Sequence, residues 1–141
     1  MELNKLIDER VHEYYWEQDL NCATTMLKVL AEIFEVKLNY QVIDAAISMQ
    51  GAGKFEAQCG LVEGSLMFLG IFGRKRGIAQ EDIIGTCYNF AHQFQDIFGS
   101  LVCRELRPEG FNKDNPPHLC EDITKRALEF TTNYIKENNF A

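Results

Sequence analysis

Hydrophobic residues recur at intervals of three and four along most of the chain, which is the spacing of an amphipathic helix. In the first such segment the apolar positions are Leu3, Leu6, Ile7, Val11 and Tyr14. Asn21 precedes the second segment and is a suitable N-cap, whereas Gly99 is a natural helix stop. The pattern predicts helices over residues 2–16, 21–36, 40–49, 79–98 and 118–138, with a short helical turn over 101–106.

The segment 59–73 differs from the others because nearly every position in it is apolar. A helix that is apolar on every face belongs in the centre of a bundle. No run of residues alternates with period two for long enough to predict a strand. The sequence therefore predicts an all-α fold, a single-domain bundle of five or six helices over residues 1–141 with a central apolar helix.

Glycines mark two places along this pattern. The stretch Gly51 to Lys54 lacks the Gly-Lys-Ser/Thr ending of a phosphate-binding loop and follows no strand, so it is predicted to be a turn between helices. Gly60 and Gly64 lie on one face of the central helix, where they allow close approach of another backbone or of a bound group. The polar, proline-bearing stretch 108–117 is predicted to be a loop.

The composition is that of an ordinary globular protein of 141 residues with a net charge of −7. The acidic balance argues against a general nucleic-acid-binding protein, which would carry a basic face. The N-terminus has no apolar signal segment, and the most apolar stretch, 60–73, is too short to span a membrane. We therefore expect a cytoplasmic protein with no membrane span.

Four of the five cysteines stand where predicted helices begin, namely Cys22, Cys59, Cys103 and Cys120. Unpaired backbone N–H groups and the positive end of the helix dipole favour thiolate over thiol at such positions. In a reducing compartment, cysteines are more often catalytic, redox-active or metal-binding than structural. Cys87 lies mid-helix on an apolar stripe and is predicted to pack in the core.

The spacing of these four cysteines excludes the common local motifs. They are separated by 37, 44 and 17 residues, and no Cys-x-x-Cys occurs. A thioredoxin motif and a zinc ribbon are therefore both unsupported. Any site that uses these cysteines has to be assembled by the tertiary fold, with the helix starts gathered at one end of the bundle.

Two further side chains are candidates beside the cysteines. His118 lies two residues before Cys120 and is either a ligand or proton donor, or a surface histidine near a helix start. Glu63 interrupts the apolar helix one turn after Cys59, and a buried carboxylate needs a partner. We expect Glu63 either to pair with a cation at the end of the bundle or to lie near the cysteine site.

The chain resembles the C_GCAxxG_C_C family of redox-active proteins, from about Leu20 to Tyr134. The residues that carry the resemblance are Cys22 in Asn-Cys-Ala, the central motif Cys59-Gly60-Leu61-Val62-Glu63-Gly64, the glycines Gly51 and Gly53, Cys103 in Cys-Arg-Glu-Leu, and Cys120. Cys87 has no counterpart in the pattern. Leu61 replaces the motif alanine, and we expect it to crowd the space beside the site.

The resemblance implies a redox role for the four cysteines, with a redox partner protein or a transporter or oxidoreductase system as partner. It also implies that an iron–sulfur cluster is a candidate cofactor, since a similar domain with that suggestion occurs in a multihaem cytochrome. Covalent c-type haem is not expected in this chain, because Cys-x-x-Cys-His is missing. A homodimer is left open, because homodimers are common.

Three functions compete at this stage. The first is a metal or iron–sulfur site for electron transfer, with Cys22, Cys59, Cys103 and Cys120 as ligands and with Gly60 and Gly64 admitting backbone N–H groups to the sulfurs. The second is an oxidoreductase that uses a reversible disulfide, with Cys59 as the first choice of attacking thiolate. The third is a non-catalytic helical module that binds a partner protein and in which the cysteines are incidental.

Overall fold

The computed structural model describes residues 2–107, 114–115, 117–138 and 140. Within these residues the chain forms seven helices: α1 (Leu3–Trp16), α2 (Cys22–Ile33), α3 (Tyr40–Ala46), α4 (Gly60–Lys75), α5 (Gln80–Phe98), α6 (Cys103–Leu106) and α7 (Glu121–Glu137). Six of them have seven residues or more, and the described part contains no strand. The all-α prediction is confirmed. Most of the predicted loop 108–117 lies outside the described residues.

Helix α4 lies at the centre of the bundle, as its sequence predicts. It contacts α2, α5 and α7, and its most extensive contact is with α2. Its apolar side chains are buried on several faces, with Leu61, Val62, Phe68 and Leu69 almost inaccessible to solvent. One face of α4 stays half-exposed, at Met67, Gly70 and Ile71, whereas the surrounding helices present broader polar faces outward.

The close contact between α2 and α4 depends on a glycine. A Cβ atom built on Gly64 would lie 2.5 Å from the carbonyl oxygen of Ala23 and 2.9 Å from Cβ of Met26. These separations are too short for a side chain, so the backbone of α2 occupies the space that any other residue would need. The predicted close approach at Gly64 is therefore the packing of two helices.

The helix ends follow the capping residues. The side chain of Asn21 accepts a hydrogen bond of 2.8 Å from the N–H of Thr24, which makes it the N-cap of α2. Gly99 ends α5 with φ of 92°, in the left-handed region that favours glycine. On α1 the predicted Ile7 and Val11 are buried, but of the two adjacent tyrosines Tyr15 is buried and the predicted Tyr14 is only half-buried.

The stretch Gly51–Lys54 is a left-handed turn between α3 and α4. All four residues have positive φ, at 68°, 57°, 68° and 66° in chain order. This conformation is easy for Gly51 and Gly53 and unfavourable for Ala52 and Lys54. The prediction of a turn is confirmed, and the strain at its two non-glycine residues requires neighbours that hold it in place. Among the described residues, no helix is long and apolar enough to cross a membrane.

Candidate functional site

Each of the four candidate cysteines stands at a helix start, as the sequence indicates. Cys22 is the first residue of α2, and Cys103 is the first residue of α6. Cys59 is the N-cap of α4. Cys120 immediately precedes α7 and occupies its N-cap position.

A short antiparallel pairing holds Cys59 beside Cys103. The N–H of Cys59 donates a hydrogen bond of 2.8 Å to the carbonyl of Leu101, and the N–H of Cys103 donates one of 2.5 Å to the carbonyl of Ala57. An isolated antiparallel bridge lies between these two bonds. The segment that precedes α4 therefore runs alongside the segment that precedes α6, although the two are far apart in the chain.

Gly60 leaves space for the sulfur of Cys22. A Cβ atom built on Gly60 would overlap the Cys22 Sγ and would lie 2.9 Å from the carbonyl oxygen of Met49. The sulfur of Cys22 thus lies against the first residue of α4, next to Cys59 in the chain. The two predicted glycines consequently differ, since Gly60 faces a sulfur whereas Gly64 faces the backbone of α2.

Gly51 has the same relation to Cys103. A Cβ atom on Gly51 would lie 3.3 Å from both Cβ and Sγ of Cys103, and its φ of 68° independently favours glycine. The left-handed turn is therefore packed against the sulfur of Cys103. Two of the four sulfurs are each covered by a glycine rather than by a larger side chain.

The fold brings the four cysteines into one electrostatically coupled group. The pKa of Cys22 is affected by Cys59, Cys120 and Cys103, that of Cys59 by Cys103 and Cys120, and that of Cys103 by Cys120. Cys87 lies on α5, and burial alone raises its pKa. It is half-buried and packs against the edge of the core, apart from the group.

Burial makes these thiols hard to ionise. It is the largest influence on each of the four, and it raises the pKa of Cys59 to about 12 and that of Cys22 still higher. The pKa values of Cys103 and Cys120 are raised as well. The expectation that helix starts favour thiolate here is therefore wrong, because desolvation of the charged form outweighs the helix-end effect.

Backbone N–H groups and one arginine lower the pKa values of these thiols, but by less than burial raises them. Backbone N–H groups in the first turns of α2 and α4 lower the pKa of Cys22 and Cys59. The guanidinium of Arg107 lowers the pKa of Cys103 and Cys120. Arg107 follows α6 directly, and sequence reasoning missed it because no local motif links an arginine to cysteines on other helices.

Solvent reaches the group through a cleft. A cavity of about 330 Å³ is lined by two of the cysteines and four polar side chains: Cys22, Cys103, Gln50, Lys54, Glu56 and Arg107. A neighbouring cavity of about 390 Å³ shares Cys22 and extends past Tyr15 to His118. The cleft thus carries two cations, Lys54 and Arg107, on the side from which the sulfurs are approached.

His118 lies beside this cleft. Its ring stacks on Tyr15 with ring centroids 5.1 Å apart, and its Nε2 is 3.3 Å from Oδ1 of Asp19. Tyr15 is buried, and its hydroxyl is 2.6 Å from Oγ1 of Thr124. Burial is the main cause of the raised pKa of Tyr15, and the nearby Cys22 raises it further. Tyr15 is therefore a neighbour of the cysteines, which the periodicity of α1 did not indicate.

Glu63 and Leu61 complete the surroundings. Glu63 is buried on α4 and raises the pKa of Cys103, so of the two predicted alternatives the structure supports the one near the cysteine site. Leu61 packs in the hydrophobic core and is 1 % exposed. Its backbone N–H lowers the pKa of Cys59.

The cysteine sulfurs are candidate donors for a metal ion. Within the described residues, no three side chains of His, Cys, Asp or Glu converge closely enough to hold one. Four thiols are nevertheless the donor type and number that an iron–sulfur cluster uses, and the sulfurs of Cys22 and Cys103 each lie against a glycine, at positions 60 and 51. The donor chemistry fits such a group, whereas the sulfur positions do not yet form a ligand set for a single ion.

The helical bundle places four cysteines at helix starts, one of them buried and three half-buried, and two of them line a solvent cleft. Residues 20–134 match the model of the C_GCAxxG_C_C family, which is described as "Putative redox-active protein". Because the match covers most of the chain, the protein belongs to this family. No curated protein and no solved structure matches the chain.

Proposed function

We propose that the protein transfers electrons through an iron–sulfur cluster or another metal held by Cys22, Cys59, Cys103 and Cys120. The observation that carries the proposal is the convergence of four helix starts: the Cys22 sulfur lies against Gly60, paired backbone holds Cys59 beside Cys103, and charges on neighbouring cysteines, Cys120 among them, raise the pKa values of these thiols. Desolvation and mutual repulsion oppose their ionisation, and a bound cation removes both penalties because it is coordinated by the thiolates themselves.

The side chains present suit this role in kind. Thiolates are soft ligands that select iron–sulfur clusters and zinc over hard cations. Since the sulfurs do not form a ligand set for a single ion as they lie, binding requires the cysteine side chains to rotate toward a common centre. The glycines at 51 and 60 let the sulfurs of Cys103 and Cys22 lie directly against the backbone, in positions that a side chain on either glycine would disturb.

When bound, an iron–sulfur cluster supplies the uptake and release of one electron at a time. The chain's own residues provide the surroundings. Backbone N–H groups beside Cys22 and Cys59 stabilise negative charge on those sulfurs, and Arg107 does the same for Cys103 and Cys120. Burial limits the access of water to Cys59, whereas Cys22 and Cys103 line the solvent cleft.

The test is anaerobic purification followed by iron and sulfide analysis and an absorption spectrum. We expect iron and visible absorption that a reductant bleaches, and we expect serine at position 22, 59, 103 or 120 to remove most of it. Cys87→Ser is the matched control, because Cys87 is a half-buried thiol outside the group, and it should keep the wild-type iron content. A folded protein that takes up no iron under these conditions would refute the proposal.

A reversible disulfide is the second candidate, favoured by the free state of all five cysteines and by Arg107, which opposes the rise in the pKa of Cys103 and Cys120. Two thiols would give two protons and two electrons to a disulfide of a partner protein, with one S–S bond formed here and one broken there. Cys103 and Cys120, which Arg107 assists, are better attackers than the first choice, Cys59. Mass spectrometry in graded redox buffers tests this candidate: it requires a loss of two hydrogens at a defined potential.

A redox partner protein is part of either proposal, because the electrons must come from and go to another molecule. The cleft is the side from which such a partner reaches the sulfurs, and Lys54 and Arg107 line it. If the chain were instead a non-catalytic helical module, replacement of all four cysteines by serine would leave partner binding unchanged.

A further inference from the structure

Trp16 is the last residue of α1, and it contacts the chain on both sides of Cys120. Its Nε1 donates a hydrogen bond of 2.7 Å to Oε1 of Glu121, the residue that follows this cysteine. Its ring lies edge-on to the ring of His118, two residues before the cysteine, with ring centroids 5.0 Å apart. Trp16 is 48 % exposed, so these contacts place its side chain more than core packing does.

The carboxylate of Glu121 has two further nitrogen neighbours. Nδ1 of His12 lies 3.1 Å and Nζ of Lys125 lies 3.2 Å from its Oε2 atom. His12 and Trp16 stand four residues apart on α1, so they reach the carboxylate from the same side of that helix. The first residue of α7 is therefore joined to the end of α1 by both of its carboxylate oxygens.

His118 begins the turn that carries Cys120, and its backbone needs support. Its φ is 62°, in the left-handed region that a side chain disfavours. Its ring stacks on Tyr15, with ring centroids 5.1 Å apart, in addition to the contact with Trp16. Tyr15 also reaches the other side of the turn, because its hydroxyl is 2.6 Å from Oγ1 of Thr124, which donates a bond of 2.7 Å to the carbonyl of Cys120.

The Cys120 turn, residues 118–121, is thus fastened differently from the segments that carry Cys59 and Cys103. Those two segments are joined by backbone hydrogen bonds. Among the described residues, no backbone hydrogen bond joins the Cys120 turn to another element, and the Cys120 side chain makes no cap bond. Side chains of α1 therefore determine where this turn lies.

We propose that Trp16 is a positioning residue of the cysteine site, which holds the Cys120 turn against α1 and thereby limits the exposure of the Cys120 thiol. The inference rests on the proposed function only in taking Cys120 as a site residue. The contacts that support it are direct, from the indole N–H to Glu121 and from the indole ring to His118.

The experiment measures how fast iodoacetamide alkylates each cysteine of the reduced, metal-free protein, by mass spectrometry of its peptides. In Trp16→Ala we expect Cys120 to react at least about threefold faster relative to Cys103, because the loss of one hydrogen bond raises the population of the released turn by such a factor. Cys103 is the internal reference, since it is also half-buried and Arg107 lowers its pKa as it does that of Cys120. Trp16 is uncharged, so its replacement removes no charge near the thiols.

Conservative variants separate the hydrogen bond from the rest of the side chain. Trp16→Phe keeps a ring beside His118 but no N–H donor, so its ratio of Cys120 to Cys103 alkylation should lie between those of the wild type and Trp16→Ala. Glu121→Gln keeps an oxygen acceptor for Trp16 and should stay within about twofold of the wild type, whereas Glu121→Ala should react at least as fast as Trp16→Ala. Asp122→Ala is the matched control, because it removes the other, exposed carboxylate from the first turn of α7, and it should leave the ratio unchanged.

An unchanged ratio in folded Trp16→Ala overturns the inference. Equal acceleration at Cys120, Cys103 and Cys87 also overturns it, because it would show a general loosening of the bundle. If Trp16→Ala does not fold, Trp16→Phe decides: a ratio raised about twofold supports the inference, and the wild-type ratio overturns it. None of these readouts needs a cofactor or a disulfide, so absent iron and absent redox chemistry would refute the proposed function and leave this inference standing.

Discussion

At the scale of single residues, the contact between Gly60 and Cys22 links the packing of the helices to the chemistry of the site. The sulfur of Cys22 occupies the space that a side chain at position 60 would need. The glycine costs helix stability but allows the starts of α2 and α4 to meet. Gly70, on the same helix, has nothing within 4 Å of an added Cβ, so it provides a direct comparison.

Alanine at position 60 should destabilise the protein and displace Cys22. We expect Gly60→Ala to lower the free energy of unfolding by about 1–3 kcal/mol, the usual cost of overpacking, and to reduce iron uptake. Gly70→Ala should instead raise the free energy of unfolding by about 0.5–1 kcal/mol and leave iron uptake unchanged. Urea unfolding and iron analysis check both variants. Equal behaviour of the two would contradict the assigned role of Gly60.

The raised thiol pKa values predict how stability depends on pH. An unfolded cysteine titrates at about 8.5, whereas the pKa of Cys59 in the folded protein is about 12. The stability that results is present below the unfolded pKa and is lost as the pH rises toward the folded one. The free energy of unfolding of the reduced, metal-free protein should therefore fall above about pH 8.5.

Urea unfolding at pH 7 and pH 10 measures this effect. Cys59 alone should contribute about 2 kcal/mol of the fall between these pH values, so Cys59→Ser should show a fall smaller by about that amount. Tyr15 is not a confounder in this comparison, because it is present in both proteins. An identical fall in the wild type and in Cys59→Ser would mean that Cys59 titrates normally in the folded state.

At the scale of elements, Asn21 fixes the start of α2 in two ways. Its Oδ1 accepts the hydrogen bond from Thr24, and its Nδ2 donates to the carbonyls of Ala46 and Ile47, at 3.0 and 2.7 Å. The first contact caps α2 and the second ties that helix to the end of α3. Cys22 follows directly, so the same side chain sets the position of a site cysteine.

Removal of the Asn21 side chain should lower the free energy of unfolding more than removal of an N-cap side chain that makes no cap bond. We expect Asn21→Ala to lower the free energy of unfolding by about 1–2 kcal/mol, since both the cap and the tether are lost. Asn39 is the matched control, because it stands at the N-cap of α3 without a side-chain cap bond. Asn39→Ala should change stability by less than about 0.5 kcal/mol. A thermal melt that shifts equally for both would argue against this role of Asn21.

The elements themselves could be predicted from the sequence, but the contacts that place the cysteines could not. The three-and-four periodicity indicates the helices, and Asn21 and Gly99 mark two of their ends correctly. The pairing of residues 57–59 with 101–103 is too short to show an alternating pattern of period two, so no local feature of the sequence predicts it. On α1, Tyr14 and Tyr15 are equally apolar, and only the neighbouring helices decide which is buried.

At the scale of the whole molecule, the four cysteines are far apart in the chain, so only the tertiary fold can bring them together. It does so by placing the starts of four helices near one another. The choice of Cys22, Cys59, Cys103 and Cys120 over Cys87 as site residues stays a prediction from the sequence. In the structure, other members of the four raise the pKa of Cys22, Cys59 and Cys103, whereas burial alone raises that of Cys87. The ionisation of these thiols could not be predicted, because it depends on burial and on Arg107, both of which are set by tertiary contacts.

The central claim is that these four cysteines together hold one redox-active group. Native mass spectrometry of protein reconstituted anaerobically with iron and sulfide tests it most directly. The claim predicts a single iron–sulfur adduct in the wild type and in Cys87→Ser, and its loss or marked reduction in each serine variant of the four. An adduct that survives in all four serine variants, or no adduct on the folded wild-type protein, would contradict the claim.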